Sequence, residues 1–199
     1  MRGVNRPTAT SSTILRGARV YLRSPRRADA AAFIAATLAS RRLHGRWVQP
    51  PRTAATFQAY VARFGQQRVA PRDRQRVGLL VFRREDDGLV GAFTLGDIVR
   101  GALCSAYLGY FAFAPYAGEG YMTEAIELVL RYAFSSLGLH RLEVNVQPTN
   151  RRSLALAKRA GFVREGYSRR YQRIAGRWRD HVRCALLAED WRARRKARR

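Results

Sequence analysis

The chain reads as one α+β domain, a mixed and twisted sheet of about seven strands with helices on both faces. Three observations predict it. The 199 residues are 47% hydrophobic, which is enough for a single domain with a full core. Segments of period 2 and period 3.6 follow one another in the order β-α-α-β-β-β-α-β-α-β-β, without an internal repeat. The middle strands succeed each other through short turns, whereas helices separate the later ones, so one sheet must hold both kinds of connection.

RVYLR at 19–23 alternates and makes the first strand. Ser24 is placed to cap a helix with Pro25 at its first position, and Phe33, Ile34 and Leu38 carry that helix to about Ser40. Gly45, Pro50 and Pro51 make 44–52 a loop, and Phe57, Tyr60, Val61 and Phe64 fall at helical spacing after Thr53. Strands are expected at 77–82, 89–99 and 105–113, with turns at Asp86-Asp87-Gly88 and Arg100-Gly101. A helix over about 123–137 closes on Gly138, and HRLEVNV at 140–146 is a strand. Asn150 caps the next helix, which ends at Gly161; strands near 162–173 and 178–187, joined by Ala175-Gly176, complete the sheet. The expected organisation is a flexible arm at 1–17, the domain at 18–191 and a basic tail at 192–199.

The formal charge of +24 suits polyanionic partners and anionic cofactors. Nearly all of it is arginine, only Lys158 and Lys196 being lysines, so base composition of a GC-rich genome accounts for it equally well. No apolar run approaches the roughly 20 residues of a membrane span. The first residues lack the apolar stretch of a secretory signal. Cys104 and Cys184 show no metal-like spacing. The expectation is a cytoplasmic protein with reduced thiols, no metal and no membrane contact.

The chemistry concentrates in YLGYFAFAPYAGEGYMTE at 107–124, where a strand, a glycine loop and a helix meet. Such a junction aims backbone N–H groups and the positive end of a helix at one spot, which suits a pyrophosphate; Gly118 and Gly120 allow close approach. Alone, a G-x-G turn is weak evidence. In this context the segment resembles motif A of the GNAT acetyltransferases, [Q/R]-x-x-G-x-[G/A], with slots at Ala117, Gly120 and Met122. Gly120 matches strictly, and Thr123-Glu124-Ala125 follow the usual form, while Ala117 departs by removing one side chain but no backbone donor. NRRSLALAKRAGF at 150–162 resembles the family's N-x-x-S helix. IVRGALCSAYLGY at 98–110 and GRWRDHVRCALLAEDW at 176–191 resemble the ribosomal-protein-alanine acetyltransferases.

The resemblance implies a GNAT fold whose sheet splays at the centre, with acetyl-CoA as cosubstrate. It implies that the backbone of Phe111, Ala112 and Phe113 pairs with the pantetheine, the Phe113 N–H meeting the thioester oxygen. Ala117, Gly118, Glu119, Gly120, Tyr121 and Met122 would hold the pyrophosphate, with Asn150 on the pantetheine or as a plain helix cap. Ser153 matches the serine that donates a proton to the leaving thiolate; the tyrosine used by other members falls on Ala157. Glu143 is a candidate base on its strand, with Asn145 on the same face, or else an arginine's ion-pair partner. His140 is a further option. Trp47, in a loop resembling the family's substrate side, would wall the acceptor slot. Trp178 and Asp180 fit a hairpin brace better than catalysis.

The acceptor implied is the N-terminal amine of a ribosomal protein, presented with or near ribosomal RNA. A small-molecule amine, or a weakly catalytic acetyl-CoA-binding ribosome factor, are the alternatives. An α-amine of pKa near 7.7–8.0 costs about 1 kcal/mol to deprotonate at pH 7, against about 4.6 for a lysine near 10.4. A chain without an unambiguous base therefore suits the α-amine.

Overall fold

In the computed structural model, residues 13–64 and 74–197 are described. The first part of the expected arm, 1–12, and the end of the tail, 198–199, lie outside them. Eight strands form one sheet in the order β1-β2-β3-β4-β5-β6-β8-β7. They are β1 Thr13–Arg16, β2 Val20–Arg23, β3 Val77–Arg83, β4 Leu89–Val99, β5 Ser105–Ala112, β6 Arg141–Val146, β7 Val163–Ile174 and β8 Arg177–Leu187. The helices are α1 Ala30–Ala39, α2 Arg41–His44, α3 Ala54–Phe64, α4 Tyr121–Arg131, α5 Arg151–Arg159 and α6 Ala188–Ala197.

Three elements differ from the sequence reading. The eighth strand is β1, inside the segment expected as an arm; it pairs antiparallel with β2 across Gly17, whose N–H bonds the Val20 carbonyl. The four residues TILR are too few to show a period that would announce such an edge strand. Helix α1 starts well after Ser24, because the Asp29 carboxylate takes the Arg26 N–H at 2.8 Å and the Arg23 guanidinium at 2.8 and 2.6 Å. The basic tail is helix α6, docked by buried Trp191 against Phe134, ring centroids 5.5 Å apart. Arg194 latches it further, reaching Glu127 at 2.7 Å and the Arg159 carbonyl at 3.1 Å.

Two apolar layers hold the sheet. On one face Phe33 of α1 and Phe57 of α3 pack with Leu80, Phe82, Ala92 and Phe113. On the other, Ile126, Val129 and Leu130 of α4 and Leu156 and Ala157 of α5 bury Leu79, Phe93, Leu108, Leu142 and Val144. Strand β6 alternates half-buried and buried along its length, so its odd positions face away from α4 and α5.

The feature that makes a site is the parallel pair at the centre. β5 and β6 pair over Ser105–Arg141, Ala106–Leu142 and Tyr107–Glu143 and no further, although β5 runs on to Ala112 and β6 to Val146. The strands splay beyond that point, and Pro115, which has no N–H for a ladder, follows directly.

Candidate active site

A cleft of about 1070 Å³ opens in this gap. β5 lines it with Leu108 to Ala112, the loop after β5 with Ala117, Gly118 and Gly120, β6 with Val144 to Gln147, and α5 with Asn150 to Ser153. His44, Trp47 and Val48 enter from the α2 side, and Gln172, Arg173 and His181 from the terminal hairpin.

The loop at 117–120 runs directly into the head of α4. Gly118 and Gly120 have φ of +98° and +79°, in the left-handed region that side chains resist. α4 begins on Gly120, whose carbonyl takes the Thr123 and Glu124 N–H groups. The N–H groups of Gly118, Glu119, Gly120, Tyr121 and Met122 have no backbone acceptor among the described residues. Five donors at the head of an eleven-residue helix fit a pyrophosphate, and Arg151, Arg152 and Arg159 line the cleft nearby. Met122 turns its thioether into the sheet above Gly91, where a Cβ would come within 2.7 Å of its sulfur. Arg19 braces the loop from behind. Its guanidinium donates to the Glu119 carbonyl at 3.1 Å, its own N–H to Glu124 at 2.8 Å, and it lies 4.5 Å over the Tyr121 ring.

The β5 wall corrects the expected thioester donor. Phe113 N–H donates to the Val90 carbonyl at 2.8 Å, and the Phe113 ring is fully buried between α1 and the sheet. Antiparallel strands turn alternate residues toward the partner, so Phe113 and Phe111 address β4, and Ala112 and Tyr110 address the gap. Of the three, Ala112 turns its backbone groups to the gap, and Phe111 and Phe113 turn theirs to β4. The strand end is clamped from α1 and α2. Ser40 Oγ accepts the Ala114 N–H at 2.8 Å, and His44 Nε2 donates to the Ala112 carbonyl at 2.9 Å. His44 is 2% exposed and set edge-on to Phe111 and Phe113. Burial holds its pKa below the usual 6.5.

Asn150 caps α5, its side-chain oxygen accepting the Ser153 N–H at 3.2 Å, and lines the cleft as well. Ser153 Oγ donates to Tyr110 Oη at 3.0 Å, and Tyr110 Oη donates to the Ser153 carbonyl at 3.0 Å. Burial pushes the Tyr110 phenol up to about 12. A thiol near 8.5 holds its proton less firmly than that, so Tyr110 orients the Ser153 hydroxyl without giving up its own proton.

Glu143 is not brought to the cleft. Arg141 holds it at 3.0 Å and pairs with Glu165 as well, at the end where β5 and β6 are still joined. His140 is exposed and lies 3.5 Å from Glu189, away from the gap. Trp47 is half-buried in the cleft wall under the Arg46 guanidinium. Asp180 braces the hairpin through Tyr167 at 2.6 Å and Arg170 N–H at 2.7 Å, but Trp178 is 61% exposed and braces nothing. Ser40, His44, Tyr110, Gln147 and His181 carry no local sequence signal, since each is placed by a partner more than thirty residues away or by the splay.

Among the described residues no three His, Cys, Asp or Glu side chains gather as metal ligands, and no helix is long and apolar enough to cross a membrane. Residues 19–163 match the family model described as acetyltransferase (GNAT) domain. The chain is 44% identical over 110 residues to "Probable N-acetyltransferase YjcK" of Bacillus subtilis, 55% of this chain and 61% of that one. It is 38% identical over 111 residues to the [ribosomal protein uS5]-alanine N-acetyltransferase of Escherichia coli, 56% of this chain and 57% of that one. The matches thus span about three-fifths of these curated relatives. A solved structure of Mycobacterium smegmatis RimJ in complex with CoA-disulfide superposes with a TM-score of 0.77 at 30% identity, over 86% of this chain and 83% of that one. With its splayed sheet, its glycine cradle and a family match across most of its length, the chain belongs to the GNAT acetyltransferase family, whose cosubstrate is acetyl-CoA.

Proposed function

We propose that the chain transfers an acetyl group from acetyl-CoA to the N-terminal α-amino group of a ribosomal protein with a small first residue, in the cytoplasm. One observation carries the acceptor class: the residues lining the cleft include five arginines and no carboxylate. Such a wall repels polyamines and other polycations, and it lacks the strong base that a lysine near pKa 10.4 calls for. An α-amine, partly neutral at pH 7, asks for far less. The likeness to a uS5-alanine acetyltransferase and to a RimJ structure supports the same reading.

In this reading the cradle at 118–122 holds the pyrophosphate, and acetyl-CoA, when bound, supplies the activated acetyl group. Ala112 N–H stabilises charge on the thioester oxygen, and His44 and Ser40 keep that strand end in place. Ser153 turns its one hydroxyl proton from Tyr110 to the departing sulfur and donates a hydrogen bond there. Ribosomal proteins are basic, and the chain at +24 repels them in free solution. Presentation on ribosomal RNA removes that repulsion.

The test is CoA release against a panel of Ala- and Ser-initiated ribosomal peptides, acetyl-blocked peptides with internal lysines, spermidine, and buffer. Turnover should require a free N-terminus. A preference for spermidine, or for lysine in blocked peptides, overturns the acceptor; mass spectrometry of ribosomal proteins from a deletion strain then identifies the modified N-terminus.

A further inference from the structure

We propose that His181 is the base that takes the acceptor's proton, and that the amine docks between His181 Nε2 and the Asn145 amide oxygen. The proposal rests on acetyl transfer in this cleft, and not on which amine is acetylated. His181 lies on β8, lines the cleft and is 2% exposed. Its Nδ1 sits 3.0 Å from the Arg179 carbonyl oxygen. A carbonyl only accepts, so Nδ1 carries the hydrogen, and in the neutral ring Nε2 keeps its lone pair.

Asn145 shares its face. The pairs Asn145–Arg183 and Val146–Val182 put odd positions of β6 and β8 on one side of the sheet. The Asn145 Oδ1 is buried without a hydrogen-bond partner among the described residues, while its Nδ2 is 3.5 Å from Tyr171 Oη. The Tyr171 ring lies 5.8 Å from the His181 ring, so the three side chains form one cluster. A buried amide oxygen left without a donor is costly, and an arriving N–H satisfies it. The neighbours are already engaged: Gln147 Nε2 donates to the Arg46 carbonyl at 3.2 Å, and Glu143 is held by Arg141.

The step balances. The nitrogen lone pair bonds to the thioester carbon, the carbon–sulfur bond breaks, and its electrons leave on sulfur. One proton passes from nitrogen to His181 Nε2 and on to water; one passes from water to the sulfur; the products are an amide and a thiol. As the nitrogen–carbon bond forms, the nitrogen becomes cationic and far more acidic than the parent ammonium, so a weak base suffices. Burial holds His181 below the usual 6.5, which keeps it neutral at pH 7. The charged or titratable groups around it are Tyr171 on β7 and Arg179 and Asp180 on β8, with Arg183 two positions along on the same face.

The test uses His181→Asn, whose amide N–H can keep the Arg179 bond while no lone pair replaces Nε2. The amine is whichever the wild type acetylates best among N-terminal peptides and spermidine. Expected are a fall in kcat of roughly 100-fold or more, an unchanged acetyl-CoA Kd by calorimetry, and loss of the acid limb of kcat expected of the wild type below pH 6.5. Added imidazole should restore part of the activity of His181→Ala. Asn145→Ala should lower kcat/KM for the amine by roughly 10-fold. A second readout needs no turnover. The chain has three histidines, and nitrogen-resolved imidazole NMR of the wild type should show His181 as the Nδ1–H tautomer. A wild-type kcat and pH profile in His181→Asn overturns the proposal. So does an Nε2–H tautomer, which decides the matter even if the variant fails to fold. Preference for spermidine would overturn the acceptor reading alone, with His181 then measured on spermidine.

Discussion

The two walls of the central gap are built in opposite ways. The β5 wall and the loop that continues it offer main-chain groups: Ala112 N–H and the donors of 118–122. The facing wall, from β6 and β8, offers side chains: Asn145, Gln147 and His181. A backbone wall depends on conformation, so its sequence record is glycine and strand geometry. A side-chain wall depends on identity and orientation, and its residues gain meaning only when distant strands meet. In the function proposed above, the cofactor lies along the first wall and the acceptor faces the second.

The harshest test of the backbone wall is Gly120→Val. A left-handed φ costs a β-branched residue about 1–2 kcal/mol, and the loss of a charge-assisted bond adds about 1.5–3, so CoA binding by calorimetry should weaken by roughly 100-fold or more. Unchanged binding would place the pyrophosphate elsewhere. His44→Ala should cost about 2–4 kcal/mol of stability in urea, from an unsatisfied Ala112 carbonyl and lost packing on Phe111 and Phe113. His44→Gln, which can still donate, should cost less. His44 also carries a pH signature. Its folded pKa is depressed, so its contribution to stability is full above 6.5 and is lost as pH falls from there through the folded value. Denaturant midpoints at successive pH values should show that slope in the wild type and a smaller one in His44→Gln.

Ser153→Ala should lower kcat by roughly 10-fold with little change in KM for acetyl-CoA, because its bond to sulfur strengthens only as charge develops. Tyr110→Phe should do less, since it only orients that hydroxyl. Equal kcat in all three proteins, with chemistry limiting turnover, would return Ser153 to a helix-capping neighbourhood. The smallest effect lies outside both walls. Replacing Arg192 and Lys196 by Gln should reduce the salt slope of ribosomal-subunit binding by about 2 and leave acetylation intact. Co-sedimentation at about 50 and 200 mM salt measures it. Arg194 must stay, because it latches α6 to Glu127 and Arg159. No binding at the lower salt would attribute the arginines to genome composition.

Legibility in the sequence follows the same division. The alternation in 77–113, the caps at Asn150 and Gly161 and the G-x-G loop announce strands, helices and cradle through local rules. The side to which Phe113 turns its N–H is not legible, because parity is set by the β4 register, which a bulge near Gly96 separates from the nearest turn. Glu143 drew attention as a carboxylate on a suitable face, yet Arg141, two residues before it, neutralises it. His181 hid inside a run that resembles the family's hairpin, and its tautomer depends on the Arg179 carbonyl, which no residue pattern encodes.

Arg19 gives the cofactor loop an unexpected address. It stands at the start of β2, about a hundred positions before the loop it braces, and it holds both the Glu119 carbonyl and the Glu124 carboxylate. The outermost hairpin of the sheet is therefore tied to the head of α4. If that loop holds the coenzyme as proposed, a pull on the first strand reaches it through one arginine, a hundred positions away in the chain.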